Sequence, residues 1–481
     1  MGLIGILLGL GLLVFFSYRG WSVLLLAPAA ALVAALFSGE PLLAHWTLTF
    51  MSSAAGFFAQ FFPLFLLGAL FGKLMEDSGS VAAIARFMTG RLGARRAMLA
   101  VVLSGALVTY GGVSLFVAFF VLAPMAAALF ADAGIPRRLM PAALALGTST
   151  FTMSAMPGTP SIQNAIPMPF FGTTPFAAPG LGLIASAIML GFGLWWLGRA
   201  EARARAAGEG FGAPAPIPEP TADGVVRERA SVAQAFDPAE AGRGAACPSQ
   251  PPVAVAFAPL AVVVGVNLLM ALVVLPRMDV SYLAEPRFGT TLPAVGGVWS
   301  VSVALAAAIV AVVALNRRRF AVLRATVDAG ANASVLPILS VASLVGFGAV
   351  VAAMPAFAVV REWVLGIGGG PLVSLAVATN VLAGLTGSAS GGLTIALDSL
   401  GAAFMQVAAE TGLSPQLMHR VAVIGSGTLD SLPHNGAVIT LLAVCGCSHR
   451  QSYRDIAVAA IAGPVVALVV VIALGSVFGS F

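Results

Sequence analysis

Apolar runs of spanning length recur along the chain, separated by short polar or arginine-bearing breaks. A helix that crosses a bilayer needs about 20 such residues. The pattern predicts spans at 2–17, 21–37, 50–74, 139–165, 181–198, 253–275, 299–315, 332–354, 421–445 and 456–479. Two further apolar blocks, 97–131 and 372–405, carry glycine and hydroxyl residues at their centres and are expected to be re-entrant hairpins. Residues 199–252 are rich in Ala, Gly, Pro, Glu and Arg, a composition that predicts a solvated cytoplasmic linker. The expected fold class is an all-α polytopic membrane protein. Its N-terminal unit, 1–198, comprises scaffold helices within 1–75, hairpin 97–131 and broken helix 139–165. After the linker, 253–481 repeats the plan with scaffold helices within 253–354, hairpin 372–405 and broken helix 421–445.

Composition agrees with this pattern. Of the 481 residues, 59% are hydrophobic and only 9% charged, whereas a soluble domain carries roughly a quarter charged residues. A net charge of +5 would suggest nucleic acid in a soluble protein, but here the arginines gather in short loops and act as orientation signals. Placing the clusters at Arg86–Arg96, Arg137–Arg138, Arg199–Arg205, Arg317–Arg324 and Arg450–Arg454 in the cytoplasm puts both termini outside. Arg277, Arg287, Arg361 and Arg420 are then exceptions on the outer side. Cys247, Cys445 and Cys447 have no metal-like spacing, so structural thiols are expected and no metal or cofactor. The apolar stretch from Met1 to Phe16 lacks a charged leader and is expected to be a retained first span.

The two halves match each other. Gly134-Ile-Pro-Arg-Arg-Leu139-Met140 leading to Gly147-Thr-Ser-Thr150 parallels Gly412-Leu-Ser-Pro-Gln-Leu417-Met418 leading to Gly425-Ser-Gly-Thr428, with five identities in seventeen positions. Gly111-Gly112 and Gly391-Gly392 precede them, and Pro63 and Gly72 correspond to Pro337 and Gly346. About five spans and one hairpin per copy make the number of crossings odd, so the second copy is inverted. Inverted repeats with interrupted helices are the plan of secondary transporters, whose sites lie where the breaks meet.

Irregular backbone inside a bilayer persists only where protein or a water-filled cavity satisfies it. Four such segments stand out: Thr109–Ser114, Thr386–Gly392, Gly147–Asn164 and Gly425–Gly436. Small residues admit a ligand, hydroxyls and amides bond to it, and restarted helices offer unpaired N–H groups to a carboxylate. The same residue types also serve close helix packing, but prolines in 156–164 and 430–436 force breaks that packing does not need. Candidate contacts to a small organic anion are Thr148, Ser149, Thr150, Asn164, Ser388, Ser390 and Asn435, with Gly112 and Gly391 at the tips. No Lys or Arg lies in 139–197 or 371–419, which favours an anion of low charge unless Arg361 or Arg420 reaches inward. Ionisable groups inside a bilayer are costly and mark function. Asp430 and His434 are the candidates to carry a coupling proton, unless they only cap a helix and bond a carbonyl. Asp398 is a weaker candidate, and Glu76 and Asp77 are expected to be solvated.

At Gly68–Gly79, Met156-Pro-Gly-Thr-Pro-Ser-Ile-Gln-Asn164 and Asp430-Ser-Leu-Pro-His-Asn-Gly436 the chain resembles the gluconate permease (GntP) family of proton symporters, within the ion transporter superfamily. The last two motifs look more like the branch of D-β-hydroxybutyrate permease-like proteins than like the gluconate carriers. The resemblance covers most of both halves. It implies two inverted repeats, a site between hairpin tips and broken helices, elevator-type movement, a homodimer in a bacterial-type inner membrane, and proton-coupled uptake of short-chain hydroxy- or keto-monocarboxylates. A gluconate-type sugar acid carrier and a sodium-coupled carrier or cation antiporter are the alternatives within the superfamily. An intramembrane enzyme is the remote one, because no nucleophile motif, paired His ligands or cofactor fingerprint is present.

Overall fold

Proline and glycine punctuate the chain and fix most helix ends. The computed structural model describes residues 1–212, 224–233, 236–240, 243–244 and 247–481, and among them helix is the only regular element. Eight helices among the described residues are long and apolar enough to cross a membrane, or nine if the pair Ser80–Leu92 and Ala94–Tyr110, bent by 100°, counts as one. The chain is a multi-pass, all-helical membrane protein.

The first half runs Gly2–Ser17, Val23–Ser38, the long helix Leu42–Asp77 and a short helix Ser80–Leu92. A helical pair follows, Ala97–Tyr110 and Leu115–Ala133, then interrupted pieces between Met140 and Phe171, then Pro179–Ala206. The second half repeats the order: Val253–Arg277, Leu292–Asn316, the short helix Leu323–Asn332 and Val335–Ala353. It continues with Phe357–Leu365, the pair Pro371–Thr386 and Ala389–Thr411, the pieces Pro415–Thr428 and Gly436–Val444, and His449–Phe478. The short helices were not among the predicted spans, because each interleaves polar with apolar residues and suits an interface better than a crossing.

The outer ends of the first pair lie on the face that carries the linker. Arg205 donates to the Ala133 carbonyl at 3.1 Å, the Arg137 amide to the Phe211 carbonyl, and Arg138 pairs with Glu209 at 2.8 Å. On the opposite face Gly2 lies against Ala356, Gly180 donates to the Phe481 carbonyl at 2.8 Å, and Ser414 bonds Ser480 at 2.8 Å. Both chain ends therefore sit on the face remote from the linker, as do the outer ends of the second pair.

Three expectations need correction. The described part of 199–252 is not simply solvated. The helix Gly224–Ala233 packs into the bundle, with Ala230 and Phe236 fully buried. Arg227 forms an ion pair with Asp237 at 2.6 Å, which makes burial of this polar stretch affordable. The Glu228 carboxylate accepts from Ser22 Oγ at 2.7 Å and from the Val23 amide at 3.2 Å. Asp77 is not solvated either. It is 1% exposed, paired with Lys73 Nζ at 3.0 Å, and accepts the Thr326 hydroxyl at 2.6 Å. Glu76 shares the same lysine at 3.1 Å. Finally, Arg420 is not an outer-face exception but is wholly buried, with His419 beside it.

Candidate functional site

Each helical pair ends in a tip that glycine makes possible. At the first tip Gly112 has φ +96°, a region open to glycine, and a Cβ there would lie 3.1 Å from the Pro160 ring. The Tyr110 hydroxyl donates to the Pro157 carbonyl at 2.9 Å, which ties the tip to the first broken helix. Ser114 caps the helix Leu115–Ala133, its Oγ accepting from the Phe116 amide at 3.3 Å. At the second tip Gly387 has φ +64°, and Ser388 caps Ala389–Thr411 by accepting the Gly391 amide at 3.1 Å. Ser390 is buried 3.2 Å from Ser388. Gly391 also packs against Leu344 of the helix Val335–Ala353.

The first broken helix is interrupted twice. Thr148 to Thr150 mark the first break. There the Thr148 hydroxyl donates to the Leu144 carbonyl at 2.8 Å and the Thr150 hydroxyl to the Leu146 carbonyl at 2.7 Å. Ser149 lies 3.1 Å from Thr148 Oγ1 and is half-buried. These hydroxyls satisfy backbone one turn back, as Ser and Thr often do in membrane helices. They do not line the cavity described below. The second break, 155–161, contains Pro157, Gly158 and Pro160 and has no helical ladder.

Asn164 organises this second break. Its Nδ2 donates to the Thr159 and Pro175 carbonyls, both at 3.0 Å, which fixes the orientation of the amide. Its Oδ1 then accepts from His419 Nε2 at 3.2 Å and from Arg420 at 3.4 Å. With Nε2 donating, His419 Nδ1 accepts the Thr173 hydroxyl at 2.6 Å. The Arg420 guanidinium also donates to the Ala177 carbonyl at 2.7 and 3.2 Å and to the Ser154 carbonyl at 3.3 Å. No carboxylate pairs with it among the described residues. Sequence reading placed Arg420 just beyond the span. The helix start Ser414-Pro415 is the signal that would have put it inside.

In the second half, Asp430 joins tip and break. Its Oδ1 accepts from the Ala389 amide and from Asn435 Nδ2, each at 2.8 Å. Asn435 also donates to the Gly387 carbonyl at 2.8 Å, and its Oδ1 caps the restarted helix by accepting the Ala437 amide at 2.7 Å. Asp430 therefore caps the helix of the tip, while Asn435 caps the restarted one. His434 Nε2 lies 3.0 Å from the Gly384 carbonyl and 2.9 Å from the Tyr18 hydroxyl. The Gly384 carbonyl can only accept, so Nε2 carries the ring proton and the Tyr18 oxygen faces a donor. A small gap lies between Tyr18, His434, Thr386 and Arg229 of the linker helix. Asp398, in contrast, is exposed on Ala389–Thr411.

The two broken helices cross where Gly427 meets Ser154. The predicted residues thus fall into two groups. Ser388, Ser390, Gly391, Asp430, His434 and Asn435 gather at the second tip, and Gly112 and Asn164 at the first, with Thr148–Thr150 at the break beside it. A cavity opens at the first tip against the helix Leu42–Asp77, lined by Phe65, Gly68, Thr109, Ser114, Ser161 and Gln163 among others. Leu115 of the capped helix start also lines it. Gln163 was in a motif singled out from the sequence but was not among the candidate contacts.

Known proteins resemble this chain. The sequence profile of GntP family permeases matches residues 1–168. An uncharacterized transporter of Bacillus subtilis, YxjC, is 42% identical over 466 residues, which is 95% of each chain. A high-affinity gluconate transporter of Escherichia coli is 36% identical over 104 residues, 21% of this chain and 23% of that one. The structure of Neisseria gonorrhoeae MtrF, described with a class of antimetabolite efflux pumps, shares the fold at TM-score 0.53 and 14% identity. The match covers 91% of this chain and 85% of that one.

Proposed function

The chain belongs to the GntP family of permeases and is a transporter rather than an enzyme, and on that premise we propose that it is a proton-coupled symporter of small organic anions. The carried anions are short-chain hydroxy- and keto-monocarboxylates such as 3-hydroxybutyrate. One observation carries this reading: a cavity within the bundle, at the first tip, bordered by the start of a capped helix and by Thr109, Ser114 and Ser161. The first turn of a helix has N–H groups without intrahelical partners and the positive end of the dipole, which suits a carboxylate. The gluconate transporter among its relatives carries an organic acid of the same chemical class. Arg420, buried two contacts away through Asn164, adds positive potential that favours an anion in this half.

Asp430 is the proposed proton carrier, with His434 beside it at the second tip. The repeated order of elements, with an odd number of crossings per half, supports two inverted repeats. The tips and broken helices would then move as one body against the helices that flank them, in an elevator cycle within a homodimer. Both termini face outward from a bacterial-type inner membrane, with the linker in the cytoplasm. The test is uptake of radiolabelled 3-hydroxybutyrate into proteoliposomes with an inward proton gradient imposed or omitted. Accumulation that collapses with a protonophore is expected. Accumulation that follows a sodium gradient alone would defeat proton coupling, and uptake of gluconate in place of 3-hydroxybutyrate would move the substrate class to sugar acids.

A further inference from the structure

Native proteins leave few buried polar groups without partners, and each one asks for an explanation. Three such atoms gather around the irregular segment of the first broken helix: Thr159 Oγ1, Gln163 Nε2 and Asn267 Oδ1. The three residues are 1%, 2% and 0% exposed. Asn267 reaches in from the second half, where its Nδ2 donates to the Gly158 carbonyl at 3.0 Å. Of the three, Gln163 lines the cavity at the first tip.

The other polar side chains on that cavity are already engaged. The Thr109 hydroxyl donates to the Gly105 carbonyl at 2.9 Å, and Ser161 donates to the Met153 carbonyl at 2.7 Å. Ser161 Oγ also accepts the Asn164 amide, while Ser114 Oγ accepts from Phe116. The half-buried Ser114 hydroxyl still has a proton to give and can turn it into the cavity, whereas the Gln163 donor is fully buried and unmet. A carboxamide nitrogen only donates, so the missing partner is an acceptor oxygen. Leaving a buried donor unpaired is costly, and that cost is relieved when a ligand oxygen arrives.

We propose that Gln163 is a specificity-determining residue of the first tip, its carboxamide recognising a hydroxyl or keto oxygen on the carbon skeleton of the carried anion. The inference rests on the carrier reading above. The carboxylate belongs to the helix start at Ser114–Leu115, and Gln163 reads the second oxygen. A site built to bond a substrate oxygen rejects the analogue that lacks it much more strongly than a merely apolar pocket does. The residue therefore separates 3-hydroxybutyrate and acetoacetate from butyrate, which has the same chain and no second oxygen.

The test compares the full-length wild type with Gln163→Leu and Gln163→Glu in proteoliposomes, measuring KM for 3-hydroxybutyrate and for butyrate. Size-exclusion profiles confirm that each variant is folded. Gln163→Leu is expected to raise KM for 3-hydroxybutyrate by about 10-fold or more, with little change for butyrate and no fall in Tm. Gln163→Glu replaces the donor with a carboxylate beside an anion and is expected to weaken uptake of both. Equal losses for the two acids in Gln163→Leu, or no loss for either, overturn the role of Gln163 while leaving the carrier reading intact. Absence of uptake of either acid by the wild type defeats the carrier reading first and takes this inference with it.

Discussion

The two tips are built on one plan and finished differently. Each begins with glycine at positive φ and a serine that caps the returning helix. At the second tip the polar groups close on one another: Asp430 holds the Ala389 amide and Asn435, and Asn435 holds Gly387. Among the described residues no carboxylate bridges the first tip to the break, and the space between tip and flanking helix stays open with an unmet donor on its wall. A repeat preserves backbone geometry while each copy is free to specialise. On the proposed reading, one copy keeps room for a ligand, and the other fills that room with an ionisable clasp.

The contrast is most sharply tested at Asp430. Asp430→Asn keeps an oxygen that can accept from Ala389 and Asn435 but carries no exchangeable carboxyl proton. Concentrative uptake in proteoliposomes is expected to fall to simple equilibration while substrate binding persists. Unchanged accumulation driven by a pH gradient would show that the clasp is purely structural. Arg420→Gln comes next. It strands the Ala177 and Ser154 carbonyls inside the bundle and is expected to cost about 3 kcal/mol, read as a lower Tm of the purified protein. An unaltered Tm would mean that the carbonyls find other partners and that the first break does not depend on this residue.

Gly112→Ala places a side chain at φ +96° against Pro160. A cost of about 2 kcal/mol is expected, together with a raised KM, because the cavity wall shifts. The matching change Gly391→Ala presses on Leu344 and is expected to lower Tm without changing KM. The smallest effects come from the caps. Ser114→Ala and Ser388→Ala are each expected to cost about 1 kcal/mol of stability, but only Ser114→Ala should also weaken substrate affinity. Equal KM values for the two would erase the distinction between an open and a closed tip.

Much of this arrangement is legible in the chain because membrane folding is severe about backbone. Pro157, Pro160 and Pro433 cannot donate, so the breaks announce themselves, and Gly111-Gly112 marks the first turn, while the second turn falls at Gly387 with Gly391-Gly392 inside the returning helix. The apolar runs located the long helices, but Leu42–Asp77, Pro179–Ala206, Leu292–Asn316, Leu323–Ala353, Ala389–Thr411 and His449–Phe478 each extend well past a predicted end. Direction of reach is harder to read. The charge of Arg420 argues for the edge of a span, and only its hydrogen bonds to three main-chain and side-chain oxygens show that it turns inward. Asp77 hides for the same reason, since its partners Lys73 and Thr326 lie on two separate helices. The hydroxyls Thr148 and Thr150 show the converse. Their type suggested ligand contact, and the carbonyls of their own helix claim them. Gln163 lies in a motif the sequence offers, but nothing there sets it apart from its neighbours, because an unmet donor is defined by what surrounds it.

The helix Gly224–Ala233 straddles a seam. Its Glu228 is bonded to Ser22 and Val23 at the start of a flanking helix, while the backbone of Arg229 rests so closely on Gly436 that a Cβ there would lie 2.2 Å from it. One grip is a pair of hydrogen bonds to Glu228, and the other brings the main chain of Arg229 close against Gly436. If the broken helices slide past their flanks, a strap seated on both must come away from one. The segment joining the halves would then act as a ratchet pawl, its release from one side setting the energy of the first step of travel.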